Sequence, residues 1–160
     1  MDKYNKFMKL ALKEEKKAYN KNEIPVGAII VFGDKVISKG HNLKENKKNV
    51  LKHAELIAIE KASKKIGDWR LNECILYTTL FPCPMCASAI QQARIKKIIY
   101  LNDNANKFTK KISSNILKNK NMNHQVEIER FYTKGTQIRT FFKKIRKKTD
   151  VSRETLSKNN

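Results

Sequence analysis

Residues 53–86 read HAELIAIEKASKKIGDWRLNECILYTTLFPCPMC, and this stretch decides the expected fold. It predicts a helix over 53–65, followed by a short apolar strand over 74–80. Pro82 precedes a second helix, over about 83–93, because a proline beside the first turn of a helix removes no helical hydrogen bond. A strand between two helices is typical of crossover units, so both helices should begin at the same edge of a sheet.

The flanking sequence predicts the other elements of an α/β fold. Apolar residues recur at helical spacing near the N-terminus, and Gly33-Asp34 is typical of a two-residue hairpin turn. Residues 102–124, rich in Lys and Asn, are predicted to be a loop containing at most one helical turn. The remaining expected elements are helices over 2–20 and 136–148 and strands over 26–32, 35–40, 96–101 and 126–131. This order predicts a mixed sheet of five strands with helices on its faces.

The chain length of 160 residues suits one domain, which we place at residues 1–149. Residues 150–160 have no apolar period and are expected to form a disordered basic and polar tail. No long apolar run is present, so no membrane-spanning helix is expected. The charged N-terminus lacks the apolar core of a signal peptide, and an intracellular, cytoplasmic location is expected.

The chain is strongly basic, with a formal net charge of +20. A field of this size attracts polyanions, with nucleic acid as the first candidate and an acidic membrane as the second. A simpler interpretation is that the source genome favours Lys, Asn and Ile, which would produce the same charge. The charge therefore indicates a nucleic-acid partner only in combination with a site.

Three potential metal ligands stand at the starts of the two central helices. His53 opens the first helix and Cys83 and Cys86 open the second, so a shared sheet edge would bring them together. One imidazole and two thiolates suit zinc, and three protein ligands leave a fourth position for water, as in catalytic zinc sites. Bound zinc lowers the pKa of that water toward about 7. The sequence therefore predicts one catalytic Zn²⁺ per chain.

Glu55 is the predicted catalytic residue. It lies two residues after His53, about 200° away on a regular helix, so the two side chains can converge only at a helix end. A carboxylate beside the metal, but not bound to it, can take a proton from the water and return it to a leaving amine. This is the chemistry that a hydrolytic deamination needs.

The separate parts of this pattern have simpler interpretations. A lone CxxC is also typical of a redox pair or of half a structural zinc site. The third cysteine, Cys74, lies in an apolar strand and is predicted to be a core residue. His41 and His124 are predicted to be surface or hydrogen-bonded histidines, not ligands. HxE followed at this spacing by PCxxC is far more specific than either motif alone.

HAE and PCPMC together match the signature of zinc-dependent base deaminases. The agreement extends to EIPVGAIIV, the loop at Asn42, HAELIAIEKA, WRL, LYTTLFPCPMCASAI and MNHQVEI. Over about residues 5–148 the chain resembles the bacterial tRNA-specific adenosine deaminases, which convert the wobble adenosine of tRNA to inosine.

This resemblance implies a three-layer α/β/α cytidine-deaminase-like fold and a homodimer. It implies hydrolytic deamination of adenosine by zinc-activated water, with His53, Cys83 and Cys86 as zinc ligands and Glu55 as the proton shuttle. Asn42 is implied as a contact to the target nucleoside. The implied partner is the anticodon stem-loop of tRNA, contacted by Phe142, Lys143, Lys144 and Arg146.

The chain departs from the family pattern in two places. Phe81 precedes Pro82, where the family usually carries Glu. Residues 103–118 lack the expected Lys-Thr-Gly stretch in a segment that neighbours the RNA and the active site in relatives. No contact residue is therefore predicted within 103–118.

Two other functions fit part of the pattern. A zinc deaminase of a free base or nucleoside, such as guanine, cytosine or a related pyrimidine, would share HxE and PCxxC, but the net charge favours RNA. A non-catalytic RNA-binding subunit of a deaminase pair would also fit the charge. The intact Glu55 argues against that subunit, because an inactive partner can dispense with it.

Overall fold

The computed structural model describes residues 3–104, 106–132 and 147. Except within 102–124, the described helices and strands follow the predicted order, and each of their bounds lies within one residue of its predicted position. The helices are α1 Lys3–Asn20, α2 Ala54–Ile66, α3 Pro84–Gln92 and α4 Lys107–Lys118. The strands are β1 Gly27–Phe32, β2 Lys35–His41, β3 Cys74–Leu80, β4 Lys97–Asn102 and β5 Glu127–Arg130.

The five strands form one mixed sheet in the order β2-β1-β3-β4-β5. Strand β1 is antiparallel to both β2 and β3, whereas β3, β4 and β5 run parallel. Strands β2, β3 and β4 therefore point the same way, and their carboxyl ends meet at one edge. The predicted five-stranded mixed sheet is confirmed, and α2 and α3 begin at this edge.

Alternate side chains of each central strand enter two separate cores, as the two-residue period of a strand requires. Ile30, Leu76 and Ile98 pack with apolar residues of α2, α3 and α4. Ile29 and Tyr77 face the opposite side and pack with residues of α1. The sheet thus lies between α1 and the other three described helices, which is the predicted three-layer α/β/α fold.

Local sequence signals account for both ends of α2. The helix begins after His53, whose backbone is extended, with φ −77° and ψ 150°. It ends at Gly67, which adopts the left-handed conformation with φ 79° and donates its N–H to the Ser63 carbonyl at 2.8 Å. Glycine carries no Cβ and reaches this conformation without steric cost, so Gly67 fixes the helix end.

The prediction of a loop over 102–124 is wrong, because Lys107–Lys118 form the twelve-residue helix α4. Asn106 caps this helix, since its side-chain oxygen accepts from the backbone N–H groups of Phe108 and Thr109. The available signals were this cap and the recurrence of apolar residues at four-residue spacing: Phe108, Ile112 and Ile116. The abundance of lysine and asparagine in the segment obscured both signals.

The predicted helix over 136–148 lies outside the described residues, apart from Lys147, and so does the predicted tail over 150–160. Within the described part of the chain, none of the helices is both long and apolar enough to cross a bilayer.

Candidate active site and metal centre

Two of the predicted metal ligands occupy the residue immediately before a helix. His53 is the N-cap of α2 and Cys83 is the N-cap of α3, and neither side chain caps its own helix. Pro84 takes the first helical position of α3, where its lack of an N–H has no cost. Both helices begin at the carboxyl edge of the sheet, so the side chains of His53 and Cys83 are free to face each other across it.

The structure brings His53, Cys83 and Cys86 together. Their ligand atoms all lie within 4.8 Å of one another. Nδ1 of His53 is 3.7 Å from Sγ of Cys83 and 3.5 Å from Sγ of Cys86. Tetrahedral zinc with ordinary Zn–N and Zn–S bonds requires N···S separations of about 3.6 Å. The donor set therefore fits a zinc ion in both chemistry and spacing.

The surroundings of the two sulfur atoms favour a thiolate at Cys83. The thiol and backbone N–H of Cys86 both hydrogen-bond to the Cys83 sulfur, and His53 lies beside it, so the pKa of Cys83 falls to about 4. The same hydrogen bond, together with burial, raises the pKa of Cys86. The pKa of His53 is raised, chiefly because it hydrogen-bonds to Cys83. A thiolate is the form of cysteine that binds zinc.

Glu55 lies beside this cluster without belonging to it. The side chain is in the first turn of α2, is 4% exposed, and accepts from Sγ of Cys86 at 3.6 Å. Burial raises the pKa of its carboxyl group. Among the described residues, the cluster of possible ligands contains only the histidine and the two cysteines. The carboxyl group of Glu55 therefore contacts the donor cluster without being one of its possible ligands.

A cavity of about 180 Å³ opens beside these residues. Asn42 lies in its wall at the end of β2 and is 6% exposed. The Asn42 amide donates to the Ile24 carbonyl at 3.2 Å, and its oxygen accepts from the Lys44 N–H at 3.2 Å. The lining residues are Ile24, Val26, Asn42, Lys44, His53, Ala54, Glu55, Leu80, Phe81, Cys83 and Asn104.

Sequence reasoning missed two polar residues of this wall, Lys44 and Asn104. Lys44 lies two residues after Asn42 in the chain, and this closeness to a predicted substrate contact was the available signal that it lines the cavity. Asn104 lies in the divergent segment 103–118, for which no contact was predicted. It reaches the cavity because the loop after β4 begins at the same sheet edge as the loops after β2 and β3.

Phe81, in the connection between β3 and α3, packs in an aromatic cluster. The Phe81 ring is 1% exposed and meets the Tyr100 ring edge-on at 4.8 Å between centroids. The Lys110 ammonium lies 5.5 Å from the Phe81 centroid, within the range of a cation–π contact. The Phe81 N–H also donates to the Asn102 carbonyl at 2.8 Å. Phe81 thus ties the loop that precedes Cys83 to β4 and α4.

The three residues predicted not to be ligands lie away from the donor cluster. Cys74 is fully buried in the core that contains α2, α3 and α4. His41 hydrogen-bonds through Nδ1 to Glu14 at 2.9 Å. His124 hydrogen-bonds through Nε2 to the Ile95 carbonyl at 2.8 Å. The predictions of a core cysteine and of hydrogen-bonded histidines are confirmed.

The predicted RNA contacts Phe142, Lys143, Lys144 and Arg146 lie outside the described residues. The site described above therefore consists of the metal-ligand cluster, Glu55 and the adjoining cavity.

An α/β/α fold with a buried carboxylate next to a three-donor zinc set defines a zinc-dependent hydrolytic enzyme. The chain belongs to the cytidine and deoxycytidylate deaminase family, because residues 1–102 match the zinc-binding region of that family.

Individual relatives and solved structures match between 79% and 94% of this chain. The tRNA-specific adenosine deaminase of Bacillus subtilis is 37% identical over 154 residues, which is 94% of this chain and 96% of that protein. A solved structure from a study of A-to-I editing by tRNA:A34 deaminases is 31% identical, with a TM-score of 0.73, and the match covers 79% of this chain and 98% of that one. The guanine deaminase of Bacillus subtilis is 30% identical, with a TM-score of 0.64, over 92% of this chain and 95% of that one.

Proposed function

We propose that the protein hydrolytically deaminates adenosine to inosine at the wobble position of tRNA. The observation that supports this most directly is the buried Glu55 carboxylate beside His53, Cys83 and Cys86, at the edge of a cavity. The similarity to the Bacillus subtilis tRNA-specific adenosine deaminase, over nearly the full length of both chains, supports the choice of substrate. The proposed catalytic domain is residues 1–149.

We assign the zinc ligands to His53, Cys83 and Cys86. A zinc ion held by these three donors would lower the pKa of a bound water toward about 7 and so would make a water nucleophile available for the hydrolysis. The carboxylate of Glu55 takes up a proton as the nucleophile forms and returns it to the nitrogen that leaves as ammonia. Its burial excludes bulk water, which would otherwise exchange that proton.

Asn42 is the proposed contact to the target nucleoside. Its side chain lies in the cavity wall. Among the described residues it hydrogen-bonds to Ile24 and Lys44, which uses one of its two N–H groups and one of its two lone pairs. Both remaining groups suit the hydroxyls and ring atoms of a nucleoside. The target base must first leave its stack to reach the cavity, as in other enzymes that act on a base.

The proposed partner is the anticodon stem-loop of tRNA. The net charge of +20 suits a phosphate backbone, which attracts basic proteins regardless of sequence. We propose that Phe142, Lys143, Lys144 and Arg146 contribute stacking and phosphate contacts to this RNA. The family resemblance also supports a homodimer and a cytoplasmic location. Light scattering of the zinc-loaded protein tests the dimer.

The similarity to a guanine deaminase makes guanine the main competing substrate. The discriminating experiment incubates the zinc-loaded protein with a wobble-adenosine stem-loop, free adenosine, cytidine, cytosine and guanine, and measures ammonia and inosine. We expect inosine from the stem-loop and no ammonia from the small molecules. Ammonia from guanine with an untouched stem-loop would retain the reaction class and overturn the proposed substrate.

A further inference from the structure

A lysine-rich loop borders the cavity. Residues 43–52, LKENKKNVLK, connect β2 to α2, and we call this segment the lysine loop. Its ends are held together, because Leu43 N–H donates to the Lys52 carbonyl at 2.9 Å. Lys44 lines the cavity, and the exposed Lys47 and Lys48 lie further out. Four of the ten side chains in this segment are therefore cationic, at the margin of the site.

Glu23, from the segment between α1 and β1, anchors the lysine loop. Its side chain is 5% exposed, and both of its oxygens accept from the loop. Oε1 accepts from the backbone N–H of Asn46 at 2.7 Å and from Nδ2 of Asn46 at 2.8 Å. Oε2 accepts from the backbone N–H of Glu45 at 3.2 Å. A buried carboxylate with these three donors fixes the loop backbone one and two residues after Lys44.

The electrostatics of Glu23 agree with this anchoring role. Burial by itself would raise the pKa of Glu23, but the hydrogen bonds from Asn46 and Glu45 and the charge of Lys44 together hold it below its ordinary value. Glu23 is therefore a carboxylate at neutral pH, and the loop donors bind its charged form. Hydrogen bonds to a charged acceptor are stronger than those between neutral groups.

The free cations of the lysine loop indicate what it contacts. In the region that the structure describes, Lys47 and Lys48 form no ion pair, and Lys44 reaches only Glu45, at 4.0 Å. Lysine ammonium groups beside a cavity for a nucleoside match the phosphates that flank that nucleoside in an RNA strand. A free base carries no phosphate and would gain nothing from them.

We propose that Glu23 is a positioning residue that holds the lysine loop so that Lys44 and its neighbours meet the phosphate backbone next to the target nucleotide. This inference rests on the proposed function, because it requires an RNA substrate. Glu23 lies outside the cavity lining, so it acts through the loop and not on the reacting atoms.

The test compares Glu23→Gln with Glu45→Gln, using a wobble-adenosine stem-loop and the zinc-loaded protein. Each substitution removes one negative charge beside the lysines, which by electrostatics alone should tighten RNA binding. Only Glu23→Gln also alters acceptors that the loop needs. The Glu45 side chain is 73% exposed, and among the described residues its one ion pair is with Lys44. We expect Glu23→Gln to raise the KM about tenfold with little change in kcat, and Glu45→Gln to give a KM no higher than that of the parent.

Salt dependence separates positioning from a general loss of stability. If Glu23→Gln releases lysines from phosphates, the slope of log KM against log salt should fall by about 1 for each lysine–phosphate pair that no longer forms. A variant that is only less stable has a lower Tm and an unchanged slope. Asn46→Ala keeps both backbone donors to Glu23 and removes only the Nδ2 hydrogen bonds, to Glu23 and to the Lys21 carbonyl. It should raise the KM in the same direction but by less, which provides the test if Glu23→Gln does not fold.

Backbone amide hydrogen exchange tests the inference without any measurement of enzymatic activity. The backbone amides of Glu45 and Asn46 should exchange faster in Glu23→Gln, whereas that of Ile57, in α2, should be unaffected. An unchanged KM in both Glu23→Gln and Asn46→Ala, or a fall in kcat alone, would overturn the inference. If the parent protein makes no inosine from the stem-loop, the proposed function itself fails, and this result is distinct from an active parent with a neutral Glu23→Gln.

Discussion

Sγ of Cys86 and Oε2 of Glu55 lie 3.6 Å apart, although 31 residues separate them in the chain. The contact joins the first turn of α3 to the first turn of α2. It places an ionisable carboxyl group against the donor cluster of His53, Cys83 and Cys86, the three residues that could hold a metal ion. This arrangement supports the proposal that the donor cluster binds the metal and that Glu55 transfers the proton.

Glu55→Gln should retain zinc and lose activity. The amide keeps the size of the side chain but cannot carry a proton between water and the leaving nitrogen, so we expect kcat to fall by about 10² to 10⁴. Inosine formation from a stem-loop gives the rate, and elemental analysis gives the zinc content. A zinc-loaded variant that works at the parent rate would remove Glu55 from the mechanism.

Cys86→Ser should lose both zinc and activity, because a serine hydroxyl is a poor substitute for a thiolate donor. Cys74→Ala is the matched control, since Cys74 is fully buried and lies outside the donor cluster. We expect the control to lose some stability and to keep one zinc per chain. Chelation should inactivate the parent protein, and added Zn²⁺ should restore it. Zinc retained at full stoichiometry by Cys86→Ser would contradict the proposed ligand set.

Gly40→Ala should disturb the site through the backbone of α2. A Cβ at Gly40 would lie 2.3 Å from the Ala54 carbonyl oxygen and 2.9 Å from the Ala58 nitrogen. The start of α2, which carries Glu55, would have to move, at a cost of about 1–3 kcal/mol for overpacking. We expect a lower Tm together with a lower kcat.

Gly33→Ala is the control for Gly40→Ala. Gly33 also resists substitution, because its φ is +59°. In the described part of the chain, its sequence neighbours aside, no atom lies within 4 Å of the position that a Cβ would take. The Gly33→Ala protein should lose about 1 kcal/mol of stability, and its kcat should be unchanged. Equal effects of the two substitutions on kcat would show that the position of α2 does not matter for the reaction.

The buried Glu14 should make the stability depend on pH in acid. Burial opposes its ionisation, but hydrogen bonds from Lys17 and His41 hold its pKa below the ordinary value of 4.5. Because the folded pKa is the lower one, the stabilisation is complete above about pH 4.5 and is lost as the pH falls through the folded pKa.

Glu14→Gln tests this dependence. We expect a lower free energy of unfolding at pH 7, by about 1–3 kcal/mol, and a flatter decline below pH 4.5. Urea denaturation at several pH values measures both quantities. Parallel acid profiles for the variant and the parent would show that Glu14 does not contribute to the pH dependence.

The helix that sequence analysis missed, α4, shows where local patterns are easily misread. Its cap, Asn106, is a clear signal, but the buried residues of the helix are Ser113 and Leu117. Two residues of its apolar stripe are exposed, with Phe108 at 79% and Ile112 at 52%. The side of α4 that carries the regularly spaced apolar residues is therefore not the side that is buried. The packing of α4 against α3 and the sheet decides which side is buried.

The sequence by itself determined the features that depend on neighbouring residues: the strands, the two helix starts at His53 and Cys83, and a donor set that suits zinc. Those features follow from local backbone preferences and ligand chemistry. The tertiary structure alone decided that Glu23 reaches the lysine loop, that Asn104 joins the cavity and that Phe81 packs on Tyr100. These contacts join separate segments of the chain, and they exist because the strand order β2-β1-β3-β4-β5 brings the ends of three strands to one edge.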